Sequence, residues 1–380
     1  MTPVGMTMEE RILELYLCST PLQVLNAVEA RHALGSKYAR CVLVLFQRRE
    51  DQVRAAENLP RGLTEVFDRI EHLRLEEIQA QIRVWRPLAA LVRNRRTVLK
   101  RVASWSAEAS SCPLVVVSNQ YNRDMRFFAA KVNGQIVFAD DGTSTAAYYE
   151  TWAEFGAIAE GSQAFPGRGR IRRALRALLY RGAYGRFLEM SRPDYAFTRY
   201  VDVAERAGFS VIPNEYRWLS DKVDSQKSPA TIAHFLGAPF VDRREVEAER
   251  YLFWLRIVMA HEPQMNWVYV PHPAETDWWI HRIERETGMV CERKVAPYEL
   301  GVVTAERPPA IIASWFSSAL ESLAEIGVGS EIWAFRIPRD ALQTPTLRRS
   351  AEAFYERVES SGSGISTLDL NFERFHKCSH

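Results

Sequence analysis

"RILELYLCSTPLQVLNAVEARHALG", residues 11–35, decides the fold class. The apolar run "RILELYLC" stops at "STP", and the next stretch sets Leu22, Leu25, Val28 and Ala33 on one helical stripe. Ser19 or Thr20 is the expected helix cap, and Pro21 takes the favoured first helical position. This is strand, short loop, helix. "CVLVLF" at 41–46 follows as a strand apolar throughout, the kind covered on both faces. "PLVVVSNQ" at 113–120 and "QIVFADDG" at 135–142 read as further strands with polar residues at their ends. Buried strands alternating with helices predict a parallel sheet wrapped in helices.

A second alternating block begins near residue 205. "ATIAHFLGAPF" at 230–240 reads as a strand ending in a Gly-Ala-Pro turn. A helical pattern over 241–261 carries Val246, Tyr251, Leu255 and Val258 on one stripe. The strand "NWVYV" then runs into "PHPAET", and "PPAIIASW" runs into "FSSALESLAEIG". The expected division is 1–205 and 206–380, two α/β domains facing each other across a cleft, with the last helix free to return to the first domain. Between the blocks, residues 150–190 read as helical, and Arg168–Arg181 crowd cations around an apolar stripe. That stretch is either a solvated helix face or a surface for anionic lipid or a negatively charged acceptor.

The 380 residues fit about two domains, and 47% hydrophobic with 25% charged residues is the balance of a folded chain. A net charge of +2 argues against a general nucleic-acid binder. Five cysteines, Cys18, Cys41, Cys112, Cys291 and Cys378, are scattered without metal-ligand spacing and point to a reducing cytoplasm. No signal peptide or membrane-spanning run is visible, so the expected location is cytoplasmic, with peripheral membrane contact through Arg168–Arg181.

Ligands of open parallel sheets bind outside the carboxyl ends of the strands, which gives weight to the polar residues there. On the first block these are Thr20 and Gln23 in and after "STP", Asn119 in "SNQ", and Asp140, Asp141 and Gly142 in "DDG". Two adjacent carboxylates can raise each other's proton affinity and furnish a general base; the same residues also make a good turn before a helix. A divalent-metal site is the weakest reading, since the carboxylates are contiguous. On the second block, His272 is held between Pro271 and Pro273 and is either a satisfied loop histidine or a donor to a phosphate oxygen. Ser317 and Ser318 open a helix whose free N–H groups suit an anion, or simply cap it. Gly237 allows close backbone approach, or merely a turn.

Taken in order, "DDG" at 140–142, "HP" at 272–273 and "SS" at 317–318 resemble the Asp/Glu-Asp/Glu-Gly, His-Pro and serine motifs of bacterial sialyltransferases and polysialyltransferases. "LYLCSTPLQVLNA", "FLGAPF" and "APYE", with Tyr298 and Glu299, extend the similarity over most of residues 12–335. The resemblance implies a GT-B fold of two Rossmann-like domains, a CMP-activated nonulosonic acid as sugar donor, and a hydroxyl of a glycan, free or lipid-linked, as acceptor. It implies a base at Asp140 or Asp141, a phosphate contact at His272, and a phosphate site at Ser317 and Ser318, with Gly237, Pro273, Tyr298 and Glu299 beside it. Thr20, Gln23, Asn119 and Gly142 fall on the acceptor side. No metal or other cofactor is implied. Beyond Arg93–Arg101 and Arg168–Arg181 there is no extended basic groove for a long anionic polymer, so a single addition fits at least as well as polymerisation. Two alternatives stand: a GT-B enzyme using a UDP-sugar, and a non-catalytic protein of envelope polysaccharide assembly.

Overall fold

Ile12–Cys18 forms β1, and its last six residues are buried, as a strand covered on both faces requires. The computed structural model describes residues 12–76, 85–108, 111–155, 193–224 and 227–370. The chain divides into two compact units, Met1–Arg217 and Trp218–His380.

In the first unit β1 is joined by β2 (Arg40–Gln47), β3 (Arg69–Arg74), β4 (Ser111–Val117), β5 (Gln135–Ala139), β6 (Tyr195–Thr198) and β7 (Val211–Pro213). The sheet order is β3-β2-β1-β4-β5-β6-β7, and every neighbouring pair is parallel. Residue 205 lies in the helix Val201–Arg206, which leads into β7 of this same sheet.

After β1 the helix Pro21–Leu34 starts with Thr20 as its cap: Thr20 Oγ1 accepts from the Gln23 N–H at 3.3 Å. Its buried side differs from the expected stripe. Leu25 and Val28 are buried, but so are Gln23, Asn26 and Glu29, whereas Ala33 is exposed. Polar side chains are tolerated there because Gln23 and Asn26 find partners on the turn after β5. In the helix Trp85–Glu108, Arg93 pairs with Glu76 and Arg101 with Glu71, so two cations of the basic stretch are already engaged. The basic residues 168–181 lie outside the described residues.

The second unit contains β8 (Ala230–Leu236), β9 (Asn266–Val270), β10 (Val290–Cys291), β11 (Pro309–Ser314), β12 (Glu331–Arg336) and β13 (Ile365–Asp369). Its order is β10-β9-β8-β11-β12-β13, again parallel throughout. Counted from β8 this is 3-2-1-4-5-6, the doubly wound order. In each unit the winding reverses beside the first strand, between β1 and β4 and between β8 and β11.

The helix expected from residue 241 begins only at Ala248, because residues 238–247 are spent on turns in which Arg244 has φ 59°. Tyr251, Leu255 and Val258 on it are fully buried, as the stripe requires. Among the described residues five buried tryptophans build this core, Trp254, Trp267, Trp279, Trp315 and Trp333, with Trp254, Trp279 and Trp315 the most deeply covered. Phe235 packs its ring 4.7 Å from Trp315 and 6.1 Å from Tyr269. The last described helix, Pro345–Ser361, joins the same core through Phe354, Tyr355 and Val358. Among the described residues no helix is long and apolar enough to cross a membrane.

Phe235→Ala should remove about 3–5 kcal/mol from the second unit, the range for deleting a buried ring that cannot be refilled. Denaturant unfolding followed by tryptophan fluorescence checks it; a loss below about 1 kcal/mol would contradict this packing.

Candidate functional site

In the first unit parallel register sets the loops side by side. Leu17 pairs with Val117, Val117 with Phe138, and Ala139 with Phe197, so the segments after β1, β4, β5 and β6 leave one edge of the sheet together. Asp140 and Asp141 follow β5 directly and have different surroundings.

Asp140 is 1% exposed. Its Oδ1 accepts from Thr198 Oγ1 at 2.5 Å, its Oδ2 from the Arg199 N–H at 3.0 Å, and its main-chain oxygen from Asn26 Nδ2 at 3.0 Å. This carboxylate ties β5 to the end of β6 and to the first helix. Asp141 is only partly covered, and its backbone is fixed by the Thr145 and Ser144 hydroxyls at 2.7 and 2.6 Å. Its Oδ1 accepts from Gln23 Nε2 at 2.8 Å; among the described residues Oδ2 has no hydrogen-bond partner. The Gln23 amide cannot turn round, since Ser19 donates both its N–H and its hydroxyl to Gln23 Oε1 at 2.7 and 2.9 Å. Gly142 permits the turn with φ 66°, where a side chain is strained. Burial pushes the Asp141 carboxyl up to about 6, against the pull of Gln23. The result is a carboxylate ionised at neutral pH, unusually basic, with one oxygen open among the described residues.

Thr20 serves as a cap, and Asn119 shapes its own turn by accepting from the Tyr121 N–H at 3.0 Å. Tyr121, which sequence reading passed over, is 41% exposed and stands edge-on to Tyr148 at 5.6 Å. Burial, Glu150 and Asp141 together push its hydroxyl up to about 12. An exposed aromatic within the electrostatic reach of Asp141 carries no local sequence signal beyond its place after a strand.

The second unit repeats the arrangement. Val270, Leu236 and Ser314 are aligned on the adjacent strands β9, β8 and β11. At about 4.8 Å per strand the roots of the His-Pro, Gly-Ala-Pro and Ser-Ser segments therefore span on the order of 10 Å. His272 Nδ1 accepts from the Ala274 N–H at 3.0 Å, which leaves the proton of the neutral ring on Nε2. The surrounding protein, with Arg243 nearby, drives the His272 pKa down to about 4, although the residue's outer surface reaches solvent. His272 is thus a neutral N–H donor near pH 7. Pro273 is exposed beside it.

Ser317 caps the helix Ser318–Ile326 by accepting from the Ala319 N–H at 3.2 Å. The Tyr298 hydroxyl lies 2.8 Å from His234 Nδ1, and Glu299 is buried in the first turn of Tyr298–Thr304. Gly237 is needed for packing: a Cβ there would overlap Tyr269 Oη and Glu275 Oε2. Glu275, three residues after His272, was also not singled out from the sequence. It is 3% exposed, accepts from Tyr269 Oη at 2.7 Å and from the His272 N–H at 2.6 Å, and burial lifts it to about 7. Among the described residues no cluster of His, Cys, Asp and Glu has metal-binding geometry.

No protein-family model matches the sequence, and neither does any curated protein. Solved structures do match in fold. An α/β-galactoside α-2,3-sialyltransferase from Photobacterium phosphoreum aligns at TM-score 0.50 and 9% identity, covering 94% of this chain and 98% of that one. A putative UDP-N-acetylglucosamine 2-epimerase from Listeria monocytogenes aligns at TM-score 0.54 and 11% identity, covering 97% and 87%.

The two acids should separate in stability measurements. A raised carboxyl pKa penalises the ionised folded state, so the Asp141 contribution is present below about 4 and lost as pH rises through about 6. Asp141→Asn should therefore flatten the decline of first-unit stability between pH 4 and 7. Asp140→Ala should instead cost about 2 kcal/mol or more at pH 7, because it strands the Thr198 hydroxyl and the Arg199 N–H. Urea unfolding of both variants from pH 4 to 8 checks this. With two doubly wound parallel-sheet units and these likenesses, the chain has the two-domain Rossmann-like fold of the GT-B type.

Proposed function

We propose that this chain is a glycosyltransferase that moves a nonulosonic acid, sialic acid or a relative such as Kdo, from a CMP-activated form to a hydroxyl of a glycan acceptor. The observation that carries the proposal is Asp141: a carboxylate with an open oxygen and a pKa raised to about 6, at the carboxyl edge of the first sheet. Asp141 is the base, and Asp140 holds the turn that presents it.

In this scheme the acceptor hydroxyl gives its proton to Asp141 as its oxygen bonds to the anomeric carbon. The bond from that carbon to the CMP phosphate oxygen breaks, and the electron pair leaves with the phosphate. His272 Nε2–H and the serine-capped helix start at Ser317 and Ser318 meet the growing charge. Arg243 supplies a cation close enough to influence His272. Gly237 packs the adjoining turn, while Tyr298 and Glu299 line the neighbouring helix start. The phosphate is met by protein groups, and no metal has a part in the scheme. Cytoplasmic location, a lipid-linked acceptor and membrane contact through Arg168–Arg181 belong to the same proposal.

The likeness to a putative UDP-N-acetylglucosamine 2-epimerase, at the higher TM-score of 0.54, supports a second reading in which the nucleotide is UDP. Thermal-shift measurements with CMP, UDP and GDP separate the two, because a ligand of the native state raises apparent stability. Protection by CMP alone, reduced in His272→Ala, is expected; protection by UDP alone moves the second reading to the front. Protection by none of the three, with unchanged glycan or membrane binding in Asp141→Asn, would favour a non-catalytic assembly protein. For the transferase, Asp141→Asn should lower kcat by about 10²–10⁴ while leaving nucleotide affinity nearly unchanged.

A further inference from the structure

The scheme above gives Glu275 no role, yet this buried acid ends a hydrogen-bond chain that crosses the second sheet's carboxyl edge. The chain starts at the Ala238 N–H in the turn after β8, which donates to Tyr251 Oη at 3.2 Å. Tyr251 and Tyr269 hydroxyls are 3.0 Å apart, and Tyr269 Oη donates to Glu275 Oε1 at 2.7 Å. Tyr269 has only one proton and gives it to the acid, so Tyr251 must be the donor in the middle link. The other carboxylate oxygen, Oε2, accepts from the His272 N–H at 2.6 Å, and His272 O accepts from the Glu275 N–H at 2.9 Å.

The ionised carboxylate, which can only accept, sets the direction of the tyrosine links, and the backbone N–H groups at the two ends, one on each loop, can only donate. A carboxylate between them satisfies both. The missing side chain at Gly237 lets Tyr269 and Glu275 lie against that turn. Glu275 is anchored from outside as well: Arg293 donates to its main-chain oxygen at 3.0 Å, and Asp242 accepts from the next residue, Thr276, at 3.1 and 2.7 Å.

We propose that Glu275 is a positioning residue, which locks the His272 loop to the Gly-Ala-Pro turn so that the imidazole meets a nucleotide phosphate. This rests on the reading of His272 as a phosphate contact. The amide of Glu275→Gln would set an NH₂ against either the His272 N–H or the Tyr269 hydroxyl. Reversing the tyrosines would free Tyr269 Oη to accept from the amide, but the Tyr251 oxygen would then receive both the Ala238 N–H and the Tyr269 proton, and its own proton would lose its acceptor among the described residues.

The test is a double-mutant cycle read by calorimetric titration of CMP and of UDP at pH 8, where the acid is ionised, with thermal unfolding of each variant alongside. Expected is a loss of about tenfold in nucleotide affinity for Glu275→Gln in the otherwise native chain, and little further loss when His272→Ala is already present. Tyr269→Phe, which removes the donor to Oε1 but keeps the ring, should give the same pattern and stands in should Glu275→Gln not fold. Equal losses with and without His272, or a lowered melting temperature with unchanged affinity, would overturn the positioning role while leaving His272 in place. If His272→Ala itself leaves affinity unchanged, the phosphate reading fails, and the role of Glu275 fails with it.

Discussion

Every candidate residue hangs on one constraint: in a parallel sheet all carboxyl ends leave from the same edge, and the polar groups of the segments leaving there need partners. Each unit meets that need in a similar way. Across the first sheet, Ser118 N–H reaches Leu17 O, Gln120 reaches Ala139 O, and Thr198 and Arg199 reach Asp140. Across the second, Gly237 N–H reaches Val270 O, Ser314 reaches Leu236 O, and the tyrosine chain reaches Glu275. Each strand end is stitched to its neighbour, so a side chain at one end is positioned by the others.

That stitching explains why neighbouring residues of like chemistry differ in what they can do. Asp140 and Asp141 are the same residue twice, but one carboxylate is engaged on both oxygens by a hydroxyl and a backbone N–H, whereas the other has an oxygen with no hydrogen-bond partner among the described residues. His272 and His234 both have pKa values driven down to about 4 by burial, yet His234 is engaged with Tyr298 within the core, and His272 stands on an exposed loop. Availability, more than residue type, separates an open side chain from a brace.

Much of the architecture is legible in the sequence because long apolar runs have few alternatives. β1, β2, β4 and β11 are continuous hydrophobic segments ending in polar residues, and each lies where those runs place it. "YAFT" of β6, "VIP" of β7 and "ISTLD" of β13 are too short or too mixed to stand out, and they become strands by pairing at the side of a sheet already built. The site was readable as a set of strand ends. Its internal logic was not: adjacency alone could not choose between Asp140 and Asp141, nor give Glu275 a role, because both depend on donors such as Arg199, Thr198 and Tyr251 that arrive from other parts of the chain. The sequence leaves Gly237 open between close backbone approach and a turn; the neighbours that a Cβ would overlap, Tyr269 Oη and Glu275 Oε2, come from elsewhere in the unit.

Asp141 and Glu275 share a further property, since burial raises both carboxyl groups, to about 6 and about 7. A raised acid subtracts from stability as pH climbs through its folded value, so at neutral pH both acids leave the fold less stable than amides of the same shape and hydrogen bonding would. For Asp141 burial is the source of the raised proton affinity: better solvation or a second donor on Oδ2 would stabilise the ionised form and lower that affinity. For Glu275 the same burial that resists charge also makes the bonds from Tyr269 and His272 strong, because a low-dielectric setting leaves an ionised oxygen no water to turn to. An amide or apolar replacement of Glu275 would relieve the charge and lose the geometry that the charge holds in place, whereas the Asp141 turn is also held through its backbone by Thr145 and Ser144.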